Sequence, residues 1–83
     1  MQWVRINEEL WASNMLPEGL LERWRVRDGQ EVKRGQPLAE VRIEDALHEI
    51  VSPKPGKFTM TATAGDVVQP GDPLGWVAPF ENQ

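Results

Sequence analysis

A duplicated turn motif constrains the fold of this chain more than any other feature. Residues 28–41 and residues 64–77 match at an offset of 36 positions, and six residues are identical between the two copies. The identical pairs are Gly29/Gly65, Val32/Val68, Gly35/Gly71, Pro37/Pro73, Leu38/Leu74 and Val41/Val77. Two copies are too few for a solenoid. The repeat therefore predicts two similar halves that pack face to face with pseudo-twofold symmetry.

Short runs of alternating apolar and polar residues lie between the glycine and proline breaks. In one of them, Ala39, Val41 and Ile43 alternate with charged residues, and a period of two places one set on a buried face. The runs 23–27 and 58–63 alternate in the same way. Residues 18–25 contain fair helix formers, but their arginines would not share one helix face, so we predict a strand there too. The expected fold is all-β, a small sandwich or flattened barrel.

Composition excludes several classes of function. The 83 residues carry a net charge of −4, which disfavours nucleic acid and anionic membranes as partners. No run is long and apolar enough for a transmembrane helix, and the N-terminus lacks the apolar region of a secretory signal. We therefore expect a cytoplasmic protein. The absence of cysteine excludes a disulfide scaffold and a thiolate zinc site.

Few residues indicate metal binding or catalysis. The single histidine, His48, lies near Glu44, Asp45 and Glu49, a group that raises the question of metal binding. One imidazole with carboxylates alone makes a weak zinc site, and we predict a solvated hairpin end with no metal. No nucleophile motif or phosphate-binding loop is present. The domain is therefore predicted not to be an enzyme on its own.

With these motifs, DGQEVKRGQPL and AGDVVQPGDPL, the chain resembles the biotinyl/lipoyl carrier-domain family over roughly residues 9–78. The resemblance implies a flattened barrel of two four-stranded antiparallel sheets, with a hairpin turn between the halves. In that family a lysine at the turn receives lipoate or biotin through an amide bond. We accordingly expect one domain over residues 1–83, with residues 1–8 as an N-terminal extension and 79–83 as a tail.

The two halves differ in length by one residue. Ten positions separate Gly19 from Gly29, whereas nine separate Gly56 from Gly65. A one-residue deletion or a lost bulge in the second strand would explain this difference.

The hairpin departs from the family at the residue that matters most. Residues 41–53 align with it without gaps, and the common tip Asp-Lys-Ala matches Glu44, Asp45 and Ala46. The resemblance thus places Asp45 at the attachment position, where a carboxylate lacks the amine that an amide bond needs. We expect no bound lipoate or biotin. The other lysines lie outside the hairpin context, at Lys33, Lys54 and Lys57.

The resemblance leads to a binding or assembly module associated with a lipoyl- or biotin-dependent multienzyme system, with a protein partner. Trp3 and Trp11 are candidate interface anchors, and Arg23 and Arg25 form a stripe that would suit an acidic partner. Simple packing of the tryptophans and solvation of the arginines are the alternatives. Two other functions stay open: a genuine acyl or carboxyl carrier loaded at an unconventional lysine, and a lipoyl-like hairpin domain of a larger complex or adaptor.

Overall fold

The computed structural model describes residues 1–11 and 18–80, and these residues form two four-stranded antiparallel sheets. One short 3₁₀ helix, Glu8–Trp11, follows the first strand. The strands are β1 (Gln2–Arg5), β2 (Gly19–Trp24), β3 (Glu31–Val32), β4 (Pro37–Ile43), β5 (Ala46–Val51), β6 (Gly56–Met60), β7 (Val67–Val68) and β8 (Pro73–Ala78). The predicted all-β fold is confirmed. In the part of the chain that is described, no helix has the length and hydropathy to cross a membrane.

The strand orders show the pseudo-twofold symmetry that the repeat predicts. The first sheet, here called sheet A, has the order β1-β8-β6-β3, and sheet B has the order β5-β4-β2-β7. Exchanging β1 with β5, β8 with β4, β6 with β2 and β3 with β7 converts one order into the other. Each half therefore contributes two strands to each sheet.

The core lies between the sheets and is built from the inward-facing residues of both halves. The repeated valine and leucine positions are buried on both sides of the pseudo-twofold axis, as predicted. The buried apolar residues are Val4, Ile6, Trp11, Leu21, Val26, Val32, Leu38, Ala39, Val41, Ile43, Ile50, Phe58, Val68, Leu74 and Val77.

The prediction that residues 1–8 form an extension outside the core was wrong. Strand β1 pairs with β8, and the side chains of Val4 and Ile6 are only 4% and 1% exposed. A strand of four residues has too few inward positions for its alternation to stand out from the sequence. The predicted core of residues 9–78 must therefore be extended to the first strand. Of the predicted tail, residues 81–83 lie outside the described residues.

The one-residue difference between the halves is a bulge. The pairing of β2 with β4 shifts register between Leu21 and Arg23, so that Glu22 is an extra residue in the first half. The equivalent pairing of β6 with β8 is regular from Lys57 to Met60. The predicted loss of a bulge from the second half is confirmed.

Candidate functional site

The connection between the halves is a hairpin with the shortest common loop. Strands β4 and β5 pair from Pro37 to Ile43, and the last pair is Ile43 with Ala46. The turn therefore consists of two residues, Glu44 and Asp45, and we call this pair the hairpin tip. Glu44 has a φ of 55°, in the left-handed region that tight hairpin loops require of a turn residue. The sequence-predicted tip residues Glu44, Asp45 and Ala46 are all exposed.

The base of the hairpin is held by close packing. Ile43 is fully buried, and a Cβ placed on Gly19 would lie 3.1 Å from its Cγ1 atom and 3.0 Å from the carbonyl oxygen of Arg42. The same Cβ would be 3.3 Å from Cζ2 of Trp11. Glycine thus lets β2 approach the hairpin closely, and the indole ring of Trp11 packs beside it. The tip stands on a rigid base, which suits a surface that a partner must recognise.

Trp11, predicted as a possible interface anchor, is a core residue. Only 7% of it is exposed, and its ring packs at the base of the hairpin. Its indole Nε1 has no hydrogen-bond partner among the described residues. The burial of Trp11 supports a role in packing and not in contact with a partner.

The hairpin tip has the wrong chemistry for a covalently attached lipoyl or biotinyl group. Lipoate and biotin are carboxylic acids, and an amide bond to either needs a primary amine on the protein. The tip offers the side-chain carboxylates of Glu44 and Asp45 instead. These residues do not fit the group, although their position at an exposed two-residue turn fits its presentation.

None of the three lysines lies on the hairpin. Lys33 belongs to the turn between β3 and β4, where its N–H donates to Oε1 of Gln36 over 2.9 Å. Lys57 is on β6 and pairs with Ala78 and Glu31. Lys54 lies beside Met1, Gln2 and Pro79, close to the start and the end of the described chain.

The outward face of sheet B carries a network of ion pairs. Glu40 contacts Nε of Arg23 at 3.0 Å and Nη1 of Arg25 at 2.9 Å. Arg25 also lies 3.9 Å from Glu49. A separate pair joins Arg42 to Glu22 at 3.1 Å. The arginines Arg23 and Arg25, predicted as a possible partner contact, are therefore already paired within the chain.

Of the two tryptophans predicted as interface anchors, Trp3 is the accessible one. It lies on the outward face of sheet A, is 38% exposed, and meets Trp76 edge to face with 5.1 Å between ring centroids. The guanidinium of Arg5 lies 5.7 Å from the Trp3 ring centroid, within cation–π range. Arg5 and Trp76 were not predicted as neighbours of Trp3. No local pattern indicates them, because Trp76 comes beside Trp3 through the distant pairing of β1 with β8.

His48 does not join the carboxylates around it. On β5 it lies on the same side as buried Ile50, whereas Leu47 and Glu49 point the other way. It is half-buried, and its Nε2 has no hydrogen-bond partner among the described residues. Residues 1–11 and 18–80 contain no group of three metal-binding side chains. That no metal is bound stays a prediction.

Comparisons with known proteins agree with the fold. The Biotin_lipoyl family, described as biotin-requiring enzyme, matches residues 12–77. The structure is similar to the lipoyl domain of the 2-oxoglutarate dehydrogenase complex from Azotobacter vinelandii, with a TM-score of 0.74 and 19% sequence identity. That match covers 94% of this chain and 99% of the other, and at this identity it shows the fold. No curated protein matches the chain.

Proposed function

Because the chain belongs to the biotin/lipoyl family of carrier-type domains, we propose that it is an unloaded member which acts as a binding or assembly module in a lipoyl- or biotin-dependent multienzyme system. Domains of this family carry a group between active sites and are not catalytic themselves. Such a member would keep the fold that partner proteins recognise but would carry no lipoyl or biotinyl group.

The observation that carries the proposal is the chemistry of the hairpin tip. A two-residue turn on a closely packed base presents Asp45 to solvent, in the position that the family resemblance assigns to the attachment lysine. An aspartate cannot be acylated to an amide by lipoate or biotin. Fold and function separate in this way because a site depends on particular side chains, not on the barrel that holds them.

The hairpin tip also carries negative charge. Its two residues, Glu44 and Asp45, have neighbouring carboxylates, and the chain has a net charge of −4. A basic surface on the partner complements this charge and would accelerate association at low ionic strength. We therefore expect binding through the tip to weaken as salt is added.

Intact-mass measurement tests whether the chain is loaded. The full chain is expressed together with lipoate ligase and, separately, with biotin ligase, and a lipoyl domain with its lysine serves as the positive control. We expect the control to gain mass and this chain to keep the mass of its sequence. An added lipoyl or biotinyl group would contradict the proposal, and Lys→Arg variants at Lys33, Lys54 and Lys57 would locate it.

A second experiment tests the assembly role. The tagged full chain is mixed with purified lipoyl- or biotin-dependent complexes from its own source, and retained subunits are identified by mass spectrometry. We expect one such complex to be retained, and less of it by the charge-reversed variant carrying Glu44→Lys. Retention of none of these complexes would contradict the assembly role even if the chain is unloaded.

A further inference from the structure

A groove runs along the first strand, away from the hairpin tip. It has a volume of about 370 Å³, near the lower end of the range for binding pockets. All four residues of β1 line it on one side, and Ile50, Val51 and Pro53 line it on the other. The groove thus lies between the edge strand of sheet A and the edge strand of sheet B.

Strand β1 has a free edge beside this groove. Within residues 1–11 and 18–80, β1 pairs with β8 alone. An edge strand directs the N–H and C=O groups of alternate residues away from its sheet, where they can pair with a further strand. A segment that enters the groove in extended conformation can therefore add to sheet A by backbone hydrogen bonds.

The charge of the groove selects the side chains of such a segment. Arg5 is its one charged lining residue, and the others are apolar apart from Gln2. Arg5 donates from Nη1 to the carbonyl oxygen of Gly71 over 3.2 Å, and no carboxylate in residues 1–11 and 18–80 lies within 4 Å of its guanidinium. The carboxylate of Glu8 lies beside Gly71, 3.4 Å from a Cβ placed on that glycine. In contrast, Arg23, Arg25 and Arg42 on sheet B each have a carboxylate within 4 Å.

The aromatic ring at the groove is already ordered. Trp3 is held on one side by the edge of Trp76 and by the cation of Arg5. A ring fixed before binding loses little conformational freedom when a ligand covers it. Tryptophan and arginine are also the residues that most often dominate binding energy in protein interfaces. Val51, 44% exposed on the opposite wall, adds apolar surface for the same ligand.

We propose that this groove binds an extended segment of a partner protein in which an apolar and an acidic residue lie two positions apart, and that the segment adds as a strand to the edge of β1. The apolar side chains contact Trp3 and Val51, and a carboxylate pairs with Arg5. The inference depends on the proposed function only in assuming a protein partner, and it assigns the partner a different surface from the hairpin tip.

Selection from a library of displayed nine-residue peptides on the full chain tests the proposal. We expect the enriched peptides to carry an acidic residue two positions from an apolar residue. We expect Arg5→Gln to weaken the best of them about tenfold, because a charge-assisted hydrogen bond is lost. The variant Arg5→Lys should retain most of the affinity. Introducing a carboxylate with Val51→Asp should weaken binding by a further repulsion, at a position exposed enough to leave the fold intact.

The matched control lies on the other sheet. Leu20 is 36% exposed on the outward face of sheet B, and Leu20→Asp should leave peptide binding unchanged. Alternate N-methylation of the selected peptide should abolish binding if it adds as a strand. Urea unfolding of each variant confirms that it is folded.

Four results would overturn the proposal. The first two are a library that yields no enriched peptides and enriched peptides that are basic. The third is a loss of binding in Leu20→Asp while Val51→Asp keeps it, and the fourth is a self-association of the chain that Val51→Asp abolishes. The last would show that a second copy fills the groove. None of them bears on whether the chain carries lipoate or biotin, which the intact mass decides.

Discussion

The two halves of the barrel have the same inward side chains at the repeated valine and leucine positions and differ on their outward faces. The outward row of sheet B, Glu49–Glu40–Arg23, is charged and internally paired, whereas the equivalent row of sheet A, Trp3–Trp76–Thr59, is aromatic and neutral. The inward valines and leucines at the repeated positions are the same in both. Packing thus constrains the repeated inward positions, whereas the outward positions can carry different side chains.

The bulge gives the largest predicted contrast between the halves. Deleting Glu22 converts β2 to the regular pairing of β6, and we expect a loss of about 1 kcal/mol in the free energy of unfolding, since one exposed ion pair with Arg42 is lost. Deleting Thr59 from regular β6 should cost more, because Met60, the last residue of the strand, changes face and its pairing with Gly75 is lost. Urea unfolding measures both, and equal losses would contradict the assignment of Glu22 as the extra residue that distinguishes β2 from β6.

The interior provides the next contrast. Leu21 and Ala39 in the first half correspond to Phe58 and Gly75 in the second, where the larger ring occupies the place of a methyl group. A Cβ on Gly75 would lie 2.6 Å from Cζ of Phe58 and would meet the carbonyl oxygen of Thr59. We expect Gly75→Ala to lose about 3 kcal/mol of unfolding free energy, and Ala39→Gly about 1 kcal/mol.

Denaturant midpoints of the two variants test this compensation directly. If Gly75→Ala costs no more than Ala39→Gly, the ring of Phe58 does not fill the position that the symmetry assigns to it. The double variant with Phe58→Leu should recover part of the loss, because it restores the combination of the first half.

The two outward faces should respond differently to salt. Glu40→Ala removes two contacts with arginines, and we expect a loss of about 1 kcal/mol that shrinks in 1 M NaCl, where the screening length is about 3 Å. Trp76→Ala removes the edge-to-face contact with Trp3, and we expect about 2 kcal/mol with little salt dependence. Urea unfolding of Glu40→Ala and Trp76→Ala in low and in high salt separates the two effects. An equal dependence of both losses on salt would contradict the difference between the two outward faces.

The smallest predicted effect is at the hairpin tip. Glycine adopts the positive φ of Glu44 without steric cost, so Glu44→Gly should raise the unfolding free energy by about 0.5 kcal/mol. Ala46→Gly, at the first residue of β5, should lower it by about the same amount. Thermal unfolding of the pair measures the difference, and a destabilised Glu44→Gly would show that the left-handed residue is held by other contacts.

Features that depend on local spacing could be predicted from the sequence, and features that depend on distant pairing could not. The glycine and valine positions of the repeat predicted the turns, the buried residues and the bulge. The place of β1 depends on a pairing with β8 more than seventy positions away, from Gln2 to Val77, which no local pattern encodes. The burial of Trp11 and the pairing of Arg23 with Glu40 depend on neighbours of the same kind.

The most direct measurement of the central claim restores the amine at the hairpin. The full chain carrying Asp45→Lys, and its neighbour control carrying Glu44→Lys, are each expressed with lipoate ligase and with biotin ligase, and the intact masses are recorded. We expect Asp45→Lys alone to gain one lipoyl or biotinyl group. A folded Asp45→Lys that neither ligase modifies, or an unaltered chain that is found loaded, would contradict the account.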